Sequence, residues 1–364
     1  MFCDTLSLYR KVGDKLECLE AVMLCMLKEV EGERTASSVF HLLKGKKSAQ
    51  TIQDAHLFKL DKWFQTTPFL TMELFDRIVE GLQASGSLQG ERQRLFVTAE
   101  GTNKMRAAFE KTGEFPQLSG WKLAGTAPVF FSRLQLAVQV VSHLAYKDRT
   151  YYPITRDEGV QQWVKQFVKE SGFEKGQLAA ELHREIRFVL EEQPEHPDCL
   201  LLRFSGYTQI GKTVQQTADI LEMEPTEYWF RFLHSLHAVV QTVMEKGSQL
   251  PLLKHLLSDI TVSVPLTESA RKTAAYLHKG KTIEEVAAAR RLKKATIEDH
   301  VVELALNDPH FSIRPFIDEQ KEAEVLKAGG SSGVRQLKPL KDQLPNHSYF
   351  EIRLVLAKES GGTI

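Results

Sequence analysis

Apolar residues recur along most of this chain at the three- and four-residue spacing of helices, and strict alternation is scarce. Leu19, Val22, Met23, Met26 and Leu27 mark the inner side of a helix from Leu16 to Val30. Thr35 is placed to cap a second helix through Leu43, which Gly45 closes, and Ser48 opens a third from Ala49 to about Phe58. The polar link Lys44-Gly45-Lys46-Lys47 stands where a helix-turn-helix would meet a phosphate. Leu74, Phe75, Ile78, Val79 and Leu82 give an amphipathic helix ending near Gly86. Arg94 to Thr98 reads as one strand of a hairpin, and Glu100 to Lys111 is helical again. Helix, small hairpin, helix is the order of a winged helix.

Glu114 to Pro128, broken by prolines and glycines, reads as a linker. Helical patterns resume over Val129–Tyr146, Thr155–Glu170 and Leu178–Glu192. Between Asp198 and Glu245 a short helix, a turn at Met223-Glu224-Pro225 and a longer helix resemble region 4 of sigma factors, with Tyr228, Trp229, Phe232 and Leu236 largely core. Ser263 to Ile313 predicts three short helices. Thr267 caps the first, which runs to about His278 and ends at Gly280; Thr282 and Glu285 have capping-box spacing for the second. Ile297, Val301 and Leu304 form the inward stripe of the third, and a tight turn at Arg290-Arg291-Leu292-Lys293 precedes it. That is a helix-turn-helix, and the third helix is expected to keep a free polar face carrying Glu298, Asp299 and Glu303. Glu319 to Lys327 then reads as a short helix, Gly329 to Gly333 as a flexible link, and Leu337–Leu344 and Tyr349–Ala357 as two closing helices, the last capped by Ser348.

The fold class predicted is therefore mainly α, with several helix-turn-helix or winged-helix-like units and one small β-ribbon, joined by a helical middle domain. Three domains are expected, at 1–115, 127–260 and 266–358.

Charge locates the candidate chemistry. The chain of 364 residues balances 47 Lys and Arg against 47 Asp and Glu, which excludes a protein that coats nucleic acid through overall basicity. Between Arg271 and Lys294, however, eight basic residues face two Glu, and four of the five from Arg290 to Lys294 are basic. Cations and free backbone N–H groups at a helix N-terminus suit a phosphate. The residues expected to bind DNA or a partner are Lys279, Lys281, Arg290, Arg291, Lys293, Lys294 and Thr296. Carboxylates further along the helix repel phosphates, so backbone contact with weak sequence preference is expected rather than base reading. The cysteines Cys3, Cys18, Cys25 and Cys199 include no C-x-x-C pair, and no apolar run reaches membrane length. A reduced cytoplasmic protein, without membrane attachment, is the expectation.

The strings GKTIEEVAAARRLKKATIEDHVVEL, LKPLKDQLP (Leu337 to Pro345) and YFEIRLVLA (Tyr349 to Ala357) resemble the helix-turn-helix domain appended to the C-terminus of many bacterial RecQ-type DNA helicases, over roughly Leu266 to Lys358. With RTASSVFHLLKGKKSAQTIQDAHLF near the N-terminus, the whole chain resembles the YpbB-like proteins of Bacillus-type bacteria. The resemblance implies a non-enzymatic, nucleoid-associated accessory factor working with a separately encoded RecQ-like helicase and with DNA. A single-stranded-DNA-binding protein is a further partner in that reading. The alternative is a transcription regulator of winged-helix or sigma-like type.

One enzyme motif is present by letter. Gly206-Tyr-Thr-Gln-Ile-Gly211-Lys212-Thr213 fits the P-loop pattern G-x-x-x-x-G-K-[ST] after the apolar run Leu200-Leu201-Leu202. A working P-loop needs a buried parallel strand and a second strand ending in Asp. No strand–helix alternation supplies them, so Gly206, Gly211, Lys212 and Thr213 are expected to be a decoy and no cofactor is expected. His234 and His237 share one helix face without a third ligand at fitting spacing, so no metal is expected either.

Overall fold

The structure, a computed structural model, describes residues 16–30, 32–91, 93–148, 150–173, 175–260, 266–308, 310–332 and 337–361; Cys3, Ser263 and Gly333 lie outside these. Helices dominate, as the periodicity predicts. The chain opens with α1 (Glu17–Glu29), α2 (Ala36–Lys44), α3 (Ala49–Leu57) and α4 (Met72–Ala84). The ribbon β1 (Leu88–Glu91) and β2 (Arg94–Val97) follows, then α5 (Ala99–Thr112), in the predicted helix–hairpin–helix order. Further on come α6 (Gly120–Leu123), α7 (Thr126–Ala145), α8 (Glu158–Glu170), α9 (Lys175–Glu192), α10 (Asp198–Leu201), α11 (Val214–Ile220), α12 (Pro225–Glu245) and α13 (Pro251–His255). The C-terminal part supplies α14 (Glu268–Leu277), α15 (Ile283–Arg290), α16 (Lys294–Asn307), α17 (Glu319–Ser332), α18 (Leu337–Gln343) and α19 (Tyr349–Gly361).

Local chemistry sets many of these ends. Thr71 and Ser48 accept backbone N–H bonds at the starts of α4 and α3 (3.2 and 3.3 Å). Gly45 closes α2 at φ 79°, a left-handed conformation that favours glycine. Thr35 has cap backbone geometry but makes no side-chain cap bond.

The described residues cluster into two compact units. One holds those of 1–25, 66–89 and 97–262; the other holds those of 26–65, 90–96 and 263–364. In the first, α12 is the central helix, packing on α7, α9, α10, α11 and α13. Every residue of α12 from Thr226 to Val240 is buried except half-buried Arg231. Tyr228, Trp229, Phe232 and Leu236 are all core. The stretch Glu114 to Pro128 is not a solvated linker. Phe115, Leu118 and Trp121 are buried, the Phe115 ring stacks on Phe230 at 5.7 Å, and the N–H groups of Gln117 and Ser119 donate to His234 Nε2 (3.1 Å) and His237 Nδ1 (2.9 Å). The two histidines thus anchor that segment, and apolar anchors override its prolines and glycines.

In the second unit α16 is central. It packs on α14 and α15, and also on α19 and the N-terminal α3. The predicted flexible link from Gly329 is helical instead, because α17 continues to Ser332. Val325 is fully buried, and a Cβ at Gly329 would only just touch Leu356 of α19 (3.6 Å). Packing on α19 outweighs the cost of about 1 kcal/mol for each helical glycine. Ser348 caps α19 through Glu351 N–H (3.1 Å), and Ile352, Leu354 and Val355 enter the core as helix residues.

Candidate nucleic-acid interface

The three-helix pattern folds as its caps dictate. Thr267 Oγ1 accepts from Ala270 N–H (3.1 Å) to start α14. Thr282 and Glu285 form the full capping box of α15: Glu285 N–H donates to Thr282 Oγ1 (3.2 Å) and Thr282 N–H to Glu285 Oε2 (2.9 Å). Arg291 closes α15 in the left-handed region (φ 53°, ψ 43°), where a side chain is strained. Lys293 is the N-cap of α16, and no side chain caps that helix. Thr296 N–H turns back to Lys293 O (3.0 Å), which leaves the N–H groups of Lys294 and Ala295 for an external acceptor.

The structure sorts the basic residues into two kinds. Lys279, Lys281, Arg291 and Lys293 have exposed side chains with no ion-pair partner among the described residues. Lys294 is also exposed, but its Nζ pairs with Glu284 Oε1 at 2.8 Å, an ion pair that raises its pKa and lowers that of Glu284. Arg290 is a correction to the expected set. Its guanidinium reaches back to α14, donating to Ser269 O (2.8 Å), Ser269 Oγ (3.0 Å) and Thr273 Oγ1. It clamps α15 to α14 and presents no free cation. Thr296 is half-buried. Elsewhere in the same unit, Lys46 and Lys47 of the α2–α3 link are exposed.

The free polar face expected on the third helix is also corrected. Every residue of α16 from His300 to Asn307 is buried. Glu303 points inward and accepts from Thr267 N–H and Thr267 Oγ1 (3.0 Å for the hydroxyl); burial raises its pKa against the opposing pull of these bonds. Asp299 binds Arg353 of α19, and His300 Nδ1 bonds Thr273 Oγ1 at 2.9 Å. Burial lowers the pKa of His300, with nearby Arg290 adding to the effect. Beyond its first turn, only half-exposed Glu298 of α16 is open to a ligand, since Asp299 is half-buried against Arg353. In the first unit α12 is covered likewise, so the sigma-like second helix offers no long exposed face.

One feature of this unit went unread in the sequence. A groove of about 910 Å³ opens beside Lys281 and Lys294, floored by Leu277, Phe311, Phe316 and Phe350. Aromatic residues just after the helix-turn-helix were its signal, but their convergence depends on α19 folding back.

The P-loop letters build no phosphate cradle. Leu200-Leu201-Leu202 is a short helix and its C-cap rather than a strand. The N–H groups at the motif's fixed positions are already used: Gly206 donates to Gln209 O, Gly211 to Ser205 Oγ, Lys212 to Leu202 O and Thr213 to Gln216 Oε1 (2.7–3.0 Å). Thr213 itself caps α11 in a capping box. The sheet among the described residues is the two-stranded ribbon, so the parallel strand a P-loop needs is absent there.

No helix among the described residues is long and apolar enough to cross a membrane. Residues 269–356 match the family model described as "Helix-turn-helix domain", an architecture whose common use is binding DNA. No solved structure matches the chain. Protein YpbB of Bacillus subtilis (strain 168) is 32% identical over 348 residues, covering 94% of this chain and 98% of that protein. At that identity and coverage, the chain belongs to the YpbB family.

Proposed function

We propose that this protein is a non-enzymatic accessory factor of a RecQ-like DNA helicase, acting in the cytoplasm at the nucleoid and gripping DNA by its phosphate backbone through the helix-turn-helix domain. The observation that carries the reading is the set of four exposed, unengaged cations, Lys279, Lys281, Arg291 and Lys293, at the ends of α15 and the start of α16. Because α16 is buried beyond its opening turns, it cannot lie along a major groove and read bases. Phosphate contact from a helix end positions a protein without specifying sequence. The helicase partner rests on the resemblance of this domain to the one fused to RecQ-type motors.

Two measurements test it. Fluorescence anisotropy on random-sequence duplexes should show binding that is insensitive to sequence and lost when Lys279, Lys281, Arg291 and Lys293 are all changed to Ala. Co-purification with a RecQ-type helicase, and unwinding rates with and without this protein, address the partner. No DNA binding and no helicase association at micromolar concentration would falsify the proposal.

A further inference from the structure

The groove beside Lys281 and Lys294 lies wholly within the second unit, and its lining is chemically divided. On its floor Phe311 and Phe316 stack nearly parallel (6.0 Å, 18°), and Phe350 meets Phe316 edge-on (6.4 Å, 86°). Phe316 and Phe350 are half-exposed. The rim carries exposed Lys281, His278 and His310. Of its carboxylates, Glu284 is paired with Lys294, Glu351 with Lys321 and the Ser348 N–H, and Asp308 accepts from the His310 N–H. Glu298 is the one carboxylate of the lining with no hydrogen bond of its own among the described residues.

We infer that this groove takes a single unpaired nucleotide of DNA, whose base stacks on Phe316 and Phe350 while its flanking phosphates lie on Lys279 and Lys281. The inference rests on the DNA-docking function proposed above. Its volume falls within the range of about 300–1,000 Å³ usual for small-ligand sites. An aromatic face accepts any base, as a protein without sequence preference requires. Glu298 is left to accept an exocyclic amine of the base. A paired base cannot enter, because its edge and both faces are occupied in the duplex. An acidic peptide fits less well, since its carboxylates would enter the groove beside Glu298, whereas a nucleotide presents only its base there and keeps its phosphates outside on the lysines. The consequence is a preference for tailed or forked DNA over blunt duplex, the structure a helicase generates.

The test compares the full-length protein on a blunt duplex and on the same duplex with a short single-stranded tail. Stacking of one base contributes about 1–3 kcal/mol, so the tailed DNA should bind about tenfold tighter. Phe316→Leu and Phe350→Leu keep apolar bulk on the groove floor and remove the ring. In each, the tailed-to-blunt ratio should fall toward one, with blunt-duplex affinity, salt dependence and thermal melting unchanged. 2-Aminopurine placed in the tail should report stacking in the wild type and lose that signal in both variants. Equal affinity of the wild type for the two DNAs would overturn the inference, while blunt binding with its salt dependence would leave the docking function standing. Absence of binding to either DNA would instead defeat the docking function. An acidic peptide with one tryptophan that binds wild type but not Phe316→Leu, in the absence of any tail preference, would assign the groove to protein and overturn the nucleotide.

Discussion

Salt dependence is the sharpest measure of how many of the basic residues meet DNA. The sequence places eight cations between Arg271 and Lys294. Four of them are exposed and unengaged, whereas Arg290 is held by α14, Lys272 pairs with Glu268 (2.7 Å) and Lys294 with Glu284 (2.8 Å). Arg271 lies in the field of Glu303, partly opposing the rise that burial gives that carboxyl's pKa. Each neutralised phosphate contributes about −0.9 to the slope of log K against log salt, so four contacts predict about −3.6. Raising salt from 50 to 200 mM should then weaken duplex binding about 150-fold. Lys293→Ala should bring the slope to about −2.7 and the loss to about 40-fold. Fluorescence anisotropy with a labelled random duplex, titrated at four or more salt concentrations, gives both numbers. A slope near −7 would mean that all eight cations engage and that the internal pairs open on binding, refuting the division made from the structure. A flat response would mean that no phosphate is held at all.

Arg290→Ala should leave that slope unchanged and destabilise the domain by about 1.5–3 kcal/mol, the usual worth of hydrogen bonds to a charged group; urea unfolding of the variant checks it. Arg291→Gly separates stability from binding. Relief of the left-handed strain at Arg291 should recover up to about 1 kcal/mol, while the salt slope shallows by about 0.9. His237 supplies a pH signature. Fully buried, with desolvation the main cause and His234 adding to it, its pKa is pushed down to about 3 from an ordinary 6.5. The folded pKa is depressed, so the stability it holds is complete above the unfolded value of 6.5 and is lost as pH falls from there toward about 3. The loss proceeds at about 1.4 kcal/mol per pH unit. Urea midpoints of wild type and His237→Asn between pH 7 and 5 should converge as pH falls; parallel curves would show that His237 takes up its proton in the folded protein.

What was legible in the sequence was the local chemistry. Thr267, Thr282 with Glu285, and Ser348 are caps because a side chain and an N–H three residues away determine them. Arg290-Arg291 marks a turn because the chain must pass from one short apolar stripe to the next. The site was less legible because a cation's availability is a tertiary property. Arg290 is spent on Ser269, twenty-one residues back, and Glu303 on the Thr267 cap, thirty-six residues back. Nothing within one helical turn of either residue announces this. Burial of α16, by contrast, did have a signal. Val301 and Leu304 point to one side, yet Val302, Ala305 and Leu306 supply a second apolar side. A helix with two apolar sides packs on more than one neighbour and is a core helix, not one half of a reading head. The same holds for Tyr228 to Val240 of α12, where aromatic and aliphatic residues leave only Arg231 half-open. In both places the helix-turn-helix pattern specifies how three helices pack, and what covers the third helix decides whether it can read DNA. Here α19 and the N-terminal α3 cover it, so the contact surface contracts to the one end those helices leave bare, where the free cations Arg291 and Lys293 precede α16 and Lys281 lines the groove.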